Sequence, residues 1–210
     1  MILDNFFPST VGREEHFEWV DVLLPKVKNY FENETSNSNF YANGKTTHNM
    51  NLDLVNHPDY APFCNFIQAK GREFLEVQGY ESNSVRFNPY FFLNYFLEGS
   101  AHPKHVHSQC TISGIFYLQT PPGSSDIRFT PNQPFRDFFD YMFMVKDPDN
   151  WYALKQYDYK PYPGLLLMWP AWLYHEVLPN QSTDPRISRC RIRTCSVPSP
   201  RPGRRHSERA

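Results

Sequence analysis

The sequence has no long apolar run. Its longest, Leu165–Trp169, is far shorter than the ~20 residues a membrane-spanning helix needs. Met1–Glu15 lacks a hydrophobic signal-peptide core, because acidic and polar residues enter early. Cysteine is scarce: Cys64, Cys110, Cys190 and Cys195 form no CxxC pair, so the common zinc and dithiol motifs are missing. Without an export signal these cysteines read as reduced thiols. Glycine numbers only nine residues, and no internal repeat is present. The expectation is a cytoplasmic protein without membrane attachment.

The chain has 210 residues, enough for one domain that folds without disulfides or a structural metal. Hydrophobic residues at 40% and aromatics at 17% can fill a core. Nineteen prolines favour short strands and many turns over a helical bundle. The net charge of −1 conceals an asymmetry, because eight of the thirteen arginines lie at or beyond Arg186. That segment carries about +7 and the remainder about −8. An acidic body argues against a specific nucleic-acid partner, although the tail could hold phosphates without sequence preference.

Ser9-Thr10 followed by Glu14 and Glu15 predicts a helix start, with Phe17, Val20, Leu23 and Leu24 as its apolar face until Pro25. Ser36–Asn51 reads as loop from its Asn, Ser and Thr content. A second helix is expected over Asp59–Val77, weakened by Gly71. From residue 83 the texture becomes strand-like. The candidates are Val85–Leu97, Thr111–Leu118, Ile127–Thr130, Trp151–Tyr159, Gly164–Trp169, His175–Leu178 and Ile187–Val197. Helices followed by seven or eight strands predict an α+β, mainly β fold whose strands close into a sandwich or barrel. Pro131–Asn150, rich in Phe and Tyr, is too long for an ordinary turn; it reads as a lid or as plain cover for the barrel. The single domain is expected over 1–197, with 198–210 a disordered basic tail.

The sharpest local pattern is His105-Val106-His107. Residues i and i+2 of a strand share a face, so both imidazoles would point to one spot. His175, at the start of a distant strand candidate, supplies a third imidazole. Three such ligands suit Fe, Zn, Cu or Ni and leave coordination positions open. The plainer alternative is two surface histidines and one hydrogen-bonded core histidine. His102 is a weaker ligand candidate because Pro103 and the spacing set it apart.

The run from Tyr95 through His105-Val106-His107 to Ser113-Gly114-Ile115-Phe116-Tyr117-Leu118 resembles the Fe(II)- and 2-oxoglutarate-dependent oxygenases. It is most similar to small bacterial and phage proteins with an HxH…SGxYYL pattern. Pro163-Gly164-Leu165-Leu166-Leu167-Met168-Trp169-Pro170 resembles the "PGxLLxFP" strand. His175-Glu176-Val177-Leu178-Pro179-Asn180 resembles "HxVxPN", and Arg186-Ile187-Ser188 resembles "RIS". The resemblance spans about residues 85–190 and implies a double-stranded β-helix with N-terminal helices packed on one sheet. It implies Fe(II) held by His105, His107 and His175, and 2-oxoglutarate as co-substrate with its distal carboxylate on Arg186. Tyr117 and Tyr95 match tyrosines that assist that carboxylate or line its pocket in the prolyl-hydroxylase branch; core packing is the alternative for both. The implied activity is hydroxylation of a substrate, with a prolyl or other peptidyl residue as the leading choice by analogy.

Position 107 departs from the usual HxD or HxE, and Asp126 is a candidate substitute carboxylate. Two rival readings remain. A cupin would use the same three histidines without a keto acid; Gly99-x5-His105-x-His107 fits its first motif, but Ser108–Ile112 lacks the expected acid. A non-enzymatic binding module would make the histidines structural.

Overall fold

The computed structural model describes residues 9–33, 43–48, 53–84, 90–108, 110–131 and 154–190, with isolated positions between 142 and 150. The expected lid over 131–150 therefore lies almost wholly outside the described residues, and the tail at 198–210 entirely so.

Two helices precede most of the strands. Helix α1 (Glu18–Asn33) buries Leu23, Val27 and Phe31, spaced four apart along one stripe. Helix α2 (Ala61–Val77) buries Phe63, Ile67, Gly71 and Leu75 at the same interval. It stops where Gly79 takes φ +83°, and the Tyr80 N–H donates to the Leu75 carbonyl at 3.0 Å. Both helices lie on the outer face of a six-stranded antiparallel sheet, sharing a core with Leu93, Ile112, Phe116, Leu166 and Ile187. No helix among the described residues is long and apolar enough to cross a membrane.

That sheet has the order β1-β8-β5-β10-β3-β2. Its strands are β1 (Gly12–Glu15), β2 (Gly44–Thr46), β3 (Phe92–Phe96), β5 (Ile112–Gln119), β8 (Leu165–Pro170) and β10 (Arg186–Cys190). A second sheet, β4-β9-β6-β7, comprises β4 (His102–His105), β6 (Ile127–Thr130), β7 (Tyr157–Tyr159) and β9 (Tyr174–Val177). Ile115, Tyr117, Leu167 and Trp169 from the first sheet pack with Ile127 and Phe129 from the second, forming the inner core. Two facing antiparallel sheets with helices against the larger one are the double-stranded β-helix the motifs imply.

Several expectations near the N-terminus need correction. Gly12–Glu15 is a strand paired with β8, not the start of a helix, and its pairing completes one edge of the large sheet. Helix α1 does not end at Pro25 but runs eight residues further. Proline in a helix interior costs about 3 kcal/mol; burial of Val27 and Phe31, beyond the break, offsets it. The loop expected over Ser36–Asn51 contains β2, short enough to leave no periodic signature.

Gly164 fixes the entry to β8. Its φ is +85°, and a Cβ there would lie 2.8 Å from the Phe17 ring. Gly164→Ala is expected to lower stability by about 1–3 kcal/mol through backbone strain and overlap. A denaturant midpoint equal to the parent's would contradict this.

Candidate metal centre

Strands β4 and β9 pair so that His105 stands directly opposite His175. His107 follows β4, with its backbone N–H donating to the Ala171 carbonyl at 2.9 Å. This bond ties the segment after β4 to the turn between β8 and β9. The three rings converge: centroids are 4.2 Å apart for His105–His175, 4.7 Å for His105–His107 and 4.9 Å for His107–His175. One ring nitrogen from each lies within 4.8 Å of the others, and no carboxylate among the described residues joins the group. Metal–imidazole bonds of about 2.0–2.1 Å require the nitrogens near 3 Å from one another, so the three rings would draw together on a bound ion.

The tautomers are set by backbone. His105 Nδ1 lies 2.7 Å from the Pro103 carbonyl, and His175 Nδ1 lies 2.9 Å from the Leu173 carbonyl. A carbonyl only accepts, so each Nδ1 carries the proton and each Nε2 presents its lone pair. That second contact also fixes ring orientation, as metal-binding histidines require. His175 is 3% exposed and His107 8%.

The cluster opens into a cavity of about 210 Å³ that runs between the sheets to Arg186. No carboxylate is among the described residues that line it. Arg186 opens β10 and is wholly buried. Its guanidinium carbon stands 4.9 Å from the Tyr117 ring and 5.5 Å from the Phe96 ring. Nη1 donates to Ser188 Oγ at 3.4 Å, while Nε and Nη2 have no protein acceptor. A buried guanidinium with two unsatisfied donors matches a carboxylate, which accepts two parallel hydrogen bonds. The donor set at one end of the cavity fits a divalent metal, and the cation at the other fits an acid.

Tyr117 is brought to Arg186, but Tyr95 is not. Side chains alternate along β3, so Phe92, Asn94 and Phe96 face the cavity while Tyr95 faces the helices. Its ring packs 5.2 Å from Phe31, and burial, with Glu32 nearby, pushes its hydroxyl pKa up. The expected pocket role for Tyr95 is thus corrected by its sheet face. Asp126 does not join the histidines either; its carbonyl accepts from the Leu178 N–H, and burial pushes its carboxyl pKa up. His102 lines the cavity with its ring 3.8 Å from that of His105, outside the three-nitrogen group.

Two cavity residues escaped the sequence reading. Thr46 Oγ1 donates to Asn94 Oδ1 at 2.7 Å and accepts from the His48 N–H at 3.1 Å. This chain of bonds fixes His48 and Asn94 on the cavity wall. Only the strand character of residues 44–46 would have found His48, and three residues give no measurable period.

Residues 91–190 match the family described as "Putative 2OG-Fe(II) oxygenase". No protein of curated function matches the chain in sequence. Solved structures with the same fold include a Pseudomonas putida prolyl-4-hydroxylase, 13% identical with a TM-score of 0.58, over 87% of this chain and 90% of that one. A Trichoplax adhaerens prolyl hydroxylase, solved with a hypoxia-inducible-factor peptide fragment, is 11% identical with a TM-score of 0.60, over 88% and 83%. HygX from Streptomyces hygroscopicus, solved with nickel and 2-oxoglutarate, is 9% identical with a TM-score of 0.58, over 87% and 81%. The family match spans all three histidines and Arg186.

Proposed function

We propose that the protein is an Fe(II)- and 2-oxoglutarate-dependent dioxygenase that hydroxylates a prolyl or other peptidyl residue. The observation that carries the co-substrate assignment is Arg186, wholly buried at the end of the cavity away from the histidines with two donors unsatisfied. A cupin-type site needs only the histidines and gives no reason to bury that cation. The peptidyl substrate rests on the likeness to prolyl hydroxylases, two of which share the fold.

The roles follow from position. His105, His107 and His175 would hold Fe(II), the first and last through Nε2. Arg186 takes the distal carboxylate of 2-oxoglutarate, while the Tyr117 and Phe96 rings flank the guanidinium and limit its rotation. Ile115, Ile127 and Val177 line the cavity and exclude water, which strengthens the ion pair with Arg186. Iron and keto acid, when bound, would supply the oxidising chemistry with O₂ as oxidant: one oxygen atom goes to 2-oxoglutarate as it loses CO₂ to become succinate, and the other enters a substrate C–H to give C–OH.

The test is succinate formation from 2-oxoglutarate with added Fe(II), with and without proline-containing peptides. Iron-dependent succinate, raised by a peptide that gains one oxygen, is the expected result. No keto-acid turnover under any of these conditions refutes the proposal. At position 107, His107→Asp restores the family's usual ligand and is expected to keep iron-dependent turnover, whereas His107→Ala is expected to lose at least ~10-fold in metal affinity. Equal metal affinity in the parent and His107→Ala, read by titration, removes His107 from the ligand set.

A further inference from the structure

Trp169 is a second buried donor on the cavity wall that the protein leaves unsatisfied. It is 2% exposed, its ring lines the cavity, and Nε1 has no hydrogen-bond partner. The ring packs edge-on against His175 at 4.8 Å and against Phe129 at 5.0 Å. A phenyl ring could make both contacts without burying an N–H, so packing does not account for the indole. Across the β5–β8 ladder, Ser113 pairs directly with Trp169 and shares its sheet face. Its buried hydroxyl also lacks a partner. Both polar groups are thus buried on one face of the sheet without a hydrogen-bond partner.

Their level in the barrel identifies the acceptor. Phe129 pairs with His175 on the small sheet, so Trp169, Phe129 and His175 form one layer. Ile127 pairs with Val177 in the next layer, where Val177 packs on Phe96, the strand partner of Arg186. The cavity therefore has unsatisfied donors in two layers, Arg186 in one and Trp169 in the other. A 2-oxoglutarate molecule has two carboxylates, one at each end. When an α-keto acid chelates a metal through its keto oxygen and one carboxylate oxygen, the other carboxylate oxygen still requires a donor. We infer that Trp169 Nε1–H binds the carboxylate next to the keto group, an assignment that rests on the oxygenase reading. Trp169 is then a co-substrate-binding residue, and Arg186 and Trp169 grip opposite ends of one molecule.

The experiment uses Zn(II)-loaded protein with ¹⁵N-labelled tryptophan, whose four indoles are Trp19, Trp151, Trp169 and Trp172. 2-Oxoglutarate and pyruvate share the α-keto acid end; glutarate has only plain carboxylates. Both keto acids are expected to move the Trp169 indole signal downfield, and glutarate to leave it in place. Trp169→Phe keeps the ring packing and removes the N–H. By calorimetry it should bind 2-oxoglutarate and pyruvate ~10-fold or more weakly, by a similar factor for each. If that variant does not fold, Phe variants at Trp19, Trp151 and Trp172 assign the parent's signals by elimination. Parental affinity in a folded Trp169→Phe, or an unmoved Trp169 signal while calorimetry shows the keto acids bound, overturns this assignment and leaves the oxygenase reading standing. A Zn(II)-loaded parent that binds neither keto acid overturns both.

Discussion

Replacing His175 with alanine is expected to abolish stoichiometric binding of Fe(II) and, with it, all iron-dependent turnover. The residue stands at the centre of the cluster: it faces His105 across the ladder, and its Nδ1 is held by the Leu173 carbonyl. Two imidazoles alone cannot present three donors on one face of a metal, and no carboxylate among the described residues is near enough to replace the third. Loss of a ligand together with its orienting bond should weaken metal affinity by at least ~10²-fold. Fold is not at stake to the same degree, since β9 keeps its pairing with β6 and β4. Anaerobic titration, read beside a far-UV spectrum, checks both. Undiminished iron binding by a folded His175→Ala would rule out the three-histidine centre.

Arg186→Ala should leave metal binding nearly unchanged and weaken 2-oxoglutarate binding by ~10²-fold, about 3 kcal/mol for a buried charge-assisted pair. The variant removes the cation between Tyr117 and Phe96, and a carboxylate entering that space would be buried without a partner. Arg186→Lys is expected to fall between the two, because the charge stays and the planar fork is lost. Pyruvate supplies the internal control: having no distal carboxylate, it should bind the parent and Arg186→Ala alike. Equal affinity of parent and variant for 2-oxoglutarate would move the cupin reading ahead of the oxygenase.

What the chain disclosed in one dimension depended on period and on length. His105-x-His107 stood out because a strand repeats every two residues, and the structure brings both rings to His175. The ladders of β5, β6, β8 and β9 coincide with their expected positions to within a residue or so at either end. Tyr95 shows the limit. Asn94 and Tyr95 are neighbours on β3, and only strand register decides which of them enters the cavity. Register comes from pairing with β10, some ninety residues away, and no local pattern contains it. His48 was hidden for a related reason: its place depends on Thr46 and Asn94 bonding across the sheet. The unsatisfied N–H of Trp169 is likewise invisible in a motif where the residue reads as one more aromatic on an apolar strand.

The position of β10 has a consequence for how the chain acquires its shape. It is the last described strand in the sequence, yet it lies inside the large sheet, hydrogen-bonded to β5 on one side and β3 on the other. Until a ribosome has released residue 190, β3 with β2 and β5 with β8 and β1 are two separate ribbons with open inner edges. Joining them closes loops of roughly 70 and 90 residues, and such distant pairings make folding slow and leave sticky edges exposed meanwhile. The decisive step of folding therefore comes late, when β10 is available to pair with both ribbons. Arg186 arrives on the strand that completes that step, so a partly folded chain still lacks the cation proposed to hold the keto acid.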